Sequence, residues 1–215
     1  MDSKNAGKKK GVRKEMKFLI DTSPRQLAER FTSNLIAGQL QTPLTLYKNW
    51  GGLWAADNGA YSEFDSRKWM KFLQNREPYI ENCLWVSMPD IVGNARRTLE
   101  AFDFWNERLD DKWPRALVAQ DGIEDLPINW ESIACIFIGG TDNFKESSSA
   151  IDLVKAAKCM NKLSHVGRLN TLKRYKIFAK IGADTCDGTG IVKYDHMLKN
   201  IEAGLSCDEE QLLFD

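Results

Sequence analysis

The chain has 215 residues, which suits one domain and sits near the lower end for a closed eight-stranded α/β barrel. Hydrophobic residues make up 43% and there are seven Trp, enough for a real core, so a disordered tail or a peptide is excluded. Thirty Lys and Arg balance thirty Asp and Glu, so net charge alone calls for no polyanionic partner.

Residues 1–15 carry Lys4, Lys8, Lys9, Lys10, Arg13 and Lys14, are rich in Lys and Gly and lack periodicity, and read as a flexible basic arm. They lack the apolar stretch of a secretory signal, and no apolar run in the chain could span a bilayer, so a cytoplasmic protein without membrane contact is expected. The five cysteines are widely spaced without a C-x-x-C, as reduced core thiols rather than zinc ligands; no metal site or other cofactor is expected.

Residues 16–206 alternate short apolar runs with helical patterns. Met16–Ile20 is the first strand candidate. Ser23-Pro24-Arg25-Gln26 then supplies a cap, a Pro at the first helical position and a Gln placed to close a capping box, with Leu27, Phe31 and Leu35 as one helix face. Thr42–Tyr47 is read as the second strand and Leu53–Ala56 as the third. Trp69, Phe72 and Leu73 mark a helix before the strand Leu84–Met88, and Phe102, Trp105 and Leu109 another before Ala116–Gln120. Ile133–Ile138 is the clearest strand. Ile151, Val154 and Ala157 line a helix before Leu163–Val166; Leu172, Tyr175 and Ala179 line one before Ala183–Cys186; Leu198, Ile201 and Leu205 give the last helix. Residues 207–215 read as an acidic tail. Runs apolar at nearly every position suit strands buried on both faces, and about eight of them predict a small (β/α)8 TIM-like barrel, with a doubly wound sheet as the alternative.

Polar or glycine turns follow six of these strands: Asp57-Asn58-Gly59-Ala60-Tyr61, Pro89-Asp90, Gln120-Asp121-Gly122, Gly139-Gly140-Thr141, Gly167-Arg168-Leu169-Asn170 and Asp187-Gly188-Thr189-Gly190. In a parallel barrel such turns share one rim, where the active site lies. Each alone is an ordinary turn or helix cap. Together they point to an enzyme with a carboxylate-lined pocket.

At these residues the chain resembles the tRNA-guanine transglycosylase superfamily, especially the 7-deazaguanine DNA-modification (DpdA-type) transglycosylases. Asp57-Asn58-Gly59-Ala60-Tyr61-Ser62 is similar to the Asp-Ser-Gly-Gly-Phe-Gln turn that carries the family's acid/base aspartate. Gly182-Ala183-Asp184-Thr185-Cys186-Asp187 is similar to the Gly-x-Asp-x-Phe-Asp segment ending in its nucleophile. Asp90 has the order and strand-end position of the aspartate that reads guanine, Phe137-Ile138-Gly139-Gly140 resembles the base-pocket turn, and His165-Val166-Gly167-Arg168 resembles the family's next strand. The islands run from about residue 50 to about 190.

Two departures separate the chain from the tRNA enzymes. Past Asp187 only Cys207 and His196 could serve a Cys₃His zinc subdomain, and Gly188-Thr189-Gly190 replaces the family's Pro-Thr-Arg. The resemblance therefore implies a shortened relative without the zinc subdomain, acting on DNA in preference to tRNA and exchanging guanine for a 7-deazaguanine such as preQ0. It implies Asp187 as nucleophile and Asp57 as acid/base, with Asp90, Gln120, Gly139, Gly140 and Tyr61 around the base and Gly167-Arg168 nearby, Arg168 a candidate for phosphate contact. A chain this short is expected to need a second copy or a partner protein to complete a nucleic-acid surface. Three rivals remain: a nucleoside hydrolase using the same aspartates, a barrel enzyme on a sugar phosphate held at Gly139-Gly140 and Gly167-Arg168, and a nucleic-acid-binding subunit without turnover.

Overall fold

The computed structural model describes residues 15–60 and 64–214. Eight parallel strands close into a barrel in sequence order, β1 Lys17–Ile20, β2 Ile36–Gln41, β3 Trp54–Ala56, β4 Cys83–Ser87, β5 Arg115–Ala119, β6 Cys135–Ile138, β7 Leu163–Val166 and β8 Thr185–Cys186, with β8 pairing back onto β1. Helices α1 Pro24–Arg30, α2 Ser66–Arg76, α3 Ala95–Asn106, α4 Asp142–Lys145, α5 Ser148–Cys159, α6 Leu172–Ile181, α7 Thr189–Lys193 and α8 Asp195–Phe214 lie in the connections. No helix among the described residues is long and apolar enough to cross a membrane.

The period of two along each strand separates two cores. Phe18, Ile20, Trp54, Ala56, Val86, Leu117, Ile136, Ile138 and Val166 face outwards and pack with helix residues such as Leu27, Trp69, Phe102, Val154 and Tyr175. Leu19, Leu40, Ala55, Trp85, Val118 and Phe137 form a second cluster inside the barrel. Trp85, Phe137 and His165 pack there edge-on or tilted, with ring centroids 4.5–5.3 Å apart. Any residue sharing the inward parity just past a strand end stands on top of that plug.

The helices start where short polar side chains can satisfy their free N–H groups. Ser23 accepts from Gln26 N at the head of α1, with Pro24 as its first residue, as the capping pattern predicts. Asp65, Asn94, Thr141, Ser147 and Thr171 do the same for α2 to α6.

The second strand is a correction. It spans Ile36–Gln41, not Thr42–Tyr47, and α1 stops at Arg30, so Leu35 leads into β2 rather than extending a helix face. Thr42 and the residues after it form a turn: Pro43 lacks the N–H a ladder needs, and Leu44 and Leu46, which suggested a strand, stand in solvent, Leu46 at 99% exposure. The true strand is disguised by Gln39 and Gln41, buried but satisfied: Gln41 Nε2 donates to Gln39 Oε1 at 2.9 Å, and Gln39 Nε2 to Thr22 O at 2.8 Å. Residues 42–53 reach β3 without a helix, and Phe31 packs on Trp50 there, centroids 4.9 Å apart. At the other end, α8 runs on to Phe214, so residues 207–214, expected as a tail, continue a helix. Most of the basic arm, residues 1–14, lies outside the described residues.

Candidate active site

Asp57, Asp90, Gln120, Gly139, Gly140, Gly167, Arg168 and Asp187 all line one cavity of about 100 Å³ at the carboxyl ends of the strands. That is below the roughly 300–1,000 Å³ of pockets for drug-sized ligands, and it suits a single small ring system. Tyr61 lies outside the described residues. Asp121 stands off this cavity and braces the next turn, accepting from Thr141 N at 2.8 Å and Thr141 Oγ1 at 2.5 Å.

Asp57 follows β3 with inward parity, and its Oδ1 accepts from Gly59 N at 2.8 Å. Burial pushes its carboxyl up to about 6, with a lesser contribution from the neighbouring charges of Asp187, Asp90 and Asp21 and some opposition from the Gly59 hydrogen bond. Asp187 follows β8. Its Oδ1 accepts from Arg168 N at 3.0 Å, and its Oδ2 lies 3.0 Å from His165 Nε2. The main chain locks the same turn, with Leu169 N donating to Asp187 O at 2.6 Å and Asp187 N to Val166 O at 3.2 Å.

Asp90 is held between two amides. Asn58 Nδ2 donates to Oδ1 at 2.8 Å and Gln120 Nε2 to Oδ2 at 2.6 Å. Burial raises its carboxyl, with these hydrogen bonds opposing the rise. Gln120 Oε1 accepts from Gly93 N at 3.0 Å, so this side chain supports Asp90 and the loop after β4 at once. Gly139 N donates to Ala119 O at 3.0 Å and is thereby spent on the sheet, so Gly139, though in the wall where it was expected, offers no amide to a ligand.

Glycine is required at two wall positions. Gly140 has φ +66°, and a Cβ there would stand 2.7 Å from Asp121 Oδ2. A Cβ on Gly167 would meet the Phe137 ring at 2.5 Å. Arg168 takes φ +55°, a conformation non-glycine residues rarely hold, and its guanidinium donates to Gly140 O at 2.8 Å.

Four residues in or beside the site escaped the sequence reading. His165 is fully buried on the inner face of β7, and burial pushes it below its ordinary value against the opposing hydrogen bond to Asp187. Asn58 was read only as part of a turn, yet it joins Met88 O and Asp90. Asp21, past β1 with inward parity, hydrogen-bonds Tyr47 Oη, and its carboxyl is raised by burial and by Asp187. Lys145, on α4, is 1% exposed and lines the cavity, and its Nζ has no hydrogen-bond partner among the described residues. The inward parity of a polar residue in a buried run could have flagged His165 and Asp21. Nothing in the local sequence marks Lys145.

The fold and its rim define a (β/α)8 barrel with a small, polar, carboxylate-lined pocket at the carboxyl ends of its strands. Neither the family models nor the curated proteins compared with the chain match it.

Proposed function

We propose that the chain is a base-exchange enzyme, replacing guanine in nucleic acid, DNA in preference to tRNA, with a 7-deazaguanine such as preQ0 through a covalent aspartyl-glycosyl intermediate. The observation that carries this reading is that Asp57 and Asp187 line one cavity in unlike surroundings. Asp57 is pushed up to about 6 by burial, whereas both oxygens of Asp187 are engaged by Arg168 N–H and His165. Unequal environments are what separate an acid from a nucleophile in a carboxylate pair.

In this mechanism Asp187 attacks C1′ as the bond from C1′ to the base breaks, its carboxylate meeting the oxocarbenium-like charge as in retaining glycosidases. The bond's electron pair leaves with the base, and Asp57 supplies the proton that completes neutral guanine. A value near 6 leaves a usable fraction of the acid near neutrality and a ready carboxylate to deprotonate the incoming base. Asp90, steadied by Asn58 and Gln120, keeps lone pairs for the N1–H and 2-amino donors of a guanine edge. A cavity this small takes the base alone, so a duplex has to flip its nucleotide out.

The reading is tested by incubating the protein with radiolabelled guanine and either duplex DNA or tRNA, and counting label in acid-precipitable polymer. Incorporation that Asp187→Asn abolishes supports it. Absence of both incorporation and base release, with preQ0 and preQ1 also offered as incoming bases, overturns it. Lys145 and Arg168 on one wall favour a second reading, an enzyme acting on a sugar or nucleoside phosphate. That alternative predicts sugar-phosphate binding and indifference to nucleic acid.

A further inference from the structure

The cavity is polarised. At one end stand Asp90 and its two amides; on the β6 and β7 side stand Lys145 and Arg168, with Asp187 close enough for its charge to act on the Lys145 ammonium. A buried ammonium without a partner is costly, and it is tolerated where a ligand supplies the missing acceptor. Arg168 is tied to Gly140 O and Asp90 to Asn58 and Gln120, so Lys145 is the cation of this wall whose hydrogen bonds are left for a ligand.

With Asp187 beneath C1′ and Asp90 on the N1–H and 2-amino edge, a bound guanine has two ring acceptors flanking its glycosidic nitrogen. N3 lies beside the 2-amino group and so on the Asp90 side. N7 lies on the opposite flank of the five-membered ring. Resting on the base-exchange reading, we propose that Lys145 is a further catalytic residue, donating a hydrogen bond to N7 of the departing guanine. A positive donor at N7 draws electron density from the imidazole ring as the C1′–N9 pair passes to the base, which stabilises the leaving group in the transition state. Lys145 keeps its proton throughout. The C1′–Oδ bond to Asp187 forms as C1′–N9 breaks, and Asp57 gives the one proton transferred. A 7-deazapurine has carbon in place of N7 and cannot use this donor, so the same site releases guanine readily and a 7-deazaguanine poorly.

Burial pushes Lys145 down to about 8, with Arg168 adding to the fall and Asp187 opposing it. The charged and titratable groups facing it are Arg168 and His165 from β7 and its following turn, Asp187 from the end of β8, Asp121 from the turn after β5, Asp142 on its own α4 and Arg174 on α6. The ammonium, and with it any preference for guanine, is therefore lost as pH rises through about 8.

The experiment is equilibrium dialysis of the full chain with radiolabelled guanine and with radiolabelled 7-deazaguanine, for wild type and Lys145→Met, joined by single-turnover release from oligodeoxynucleotides carrying guanine or 7-deazaguanine at one position. Wild type should bind and release guanine roughly ten- to a hundredfold better than 7-deazaguanine, the size of a hydrogen bond to a charged group. In Lys145→Met the binding ratio should collapse towards one and the release ratio should fall by a similar factor, and in wild type both should fall as pH passes about 8. A melting curve at or above that of wild type shows that the variant folds; if it does not fold, the wild-type ratio and its pH dependence decide. Equal handling of the two bases by wild type, or a ratio that survives in Lys145→Met, overturns the role of Lys145 while leaving base exchange standing. Failure of wild type to bind or release either base overturns both.

Discussion

His165 Nε2 lies 3.0 Å from Asp187 Oδ2 and His165 Nδ1 lies 2.9 Å from Thr185 Oγ1, so one imidazole bridges two inward positions at the end of β8. Burial favours the neutral ring. Only a protonated Nε2 can donate to the carboxylate, which leaves Nδ1 to accept from the Thr185 hydroxyl. Long-range ¹H–¹⁵N correlation at pH 7 should find His165 neutral with its proton on Nε2; a protonated Nδ1 would refute the bridge. His165→Phe keeps the ring and loses the bond, and should lower kcat for the proposed base exchange by roughly tenfold to a hundredfold with little change in KM, because Asp187 loses its orientation. His165→Gln, which can still donate, should recover part of the loss.

Asp57 sets activity against stability. Its folded value near 6 stands above the ordinary 3.8, so burying the charged form opposes folding at high pH, and the penalty vanishes below the ordinary value, where the carboxyl is neutral in both states. Asp57→Asn keeps an acceptor for Gly59 N and should abolish the proposed base exchange while raising unfolding stability by about 1–3 kcal/mol at pH 8. The gain should shrink between about pH 6 and 4 and be absent at pH 3. Urea melts across that range check the sign; a gain that grows towards acid would refute the assignment.

Asn58 ties the turn after β3 to β4 through Met88 O and Asp90. Asn58→Ala leaves a buried carbonyl and one carboxylate oxygen short of a donor, and should cost about 1–3 kcal/mol. It should also weaken guanine binding, since Asp90 can then turn. Unchanged melting together with unchanged guanine affinity would show that Gln120 alone suffices to hold Asp90.

Gly167 touches the barrel plug. A methyl group there meets Phe137 at 2.5 Å and 3.0 Å, and the ring is itself packed on Trp85 and His165. Gly167→Ala should therefore cost about 1–3 kcal/mol from overpacking. It should also reduce base affinity by pushing Phe137, a wall residue, into the cavity. Full stability with normal binding would mean that the plug is softer than its packing implies.

Much of the barrel was legible because its strands are buried on both faces. Cys135–Ile138 and Leu163–Val166 stand where apolar runs of that length predict, and the capping pattern at Ser23 placed α1. Ile36–Gln41 was not legible, because two of its outward positions carry polar side chains. Gln39 and Gln41, paired with the outward Trp54 and Ala56, are satisfied by each other, by Thr22 O and by Arg76, and Gly38 is needed where a Cβ would meet Leu53 O at 1.9 Å. A local pattern cannot register either effect, and the exposed Leu44 and Leu46 took the place of the real strand in the reading.

The sequence by itself determined an alternation of buried parallel strands and helices, the order of its polar turns and the set of aspartates that follow its strands, because strand length, turn chemistry and parity are local properties. Closure into a barrel rather than a doubly wound sheet is seen only in the structure. The tertiary structure alone decided which of those groups share a cavity and in what environment. Pairing β8 with β7 sets Asp187 against His165, closure of the barrel brings it near Asp57, and α4 buries the Lys145 amine in the same wall. Burial and neighbouring charge make Asp57 a weaker acid than an ordinary aspartate, and the packing leaves Lys145 Nζ without a hydrogen-bond partner among the described residues; both depend on distances through space that chain order does not encode.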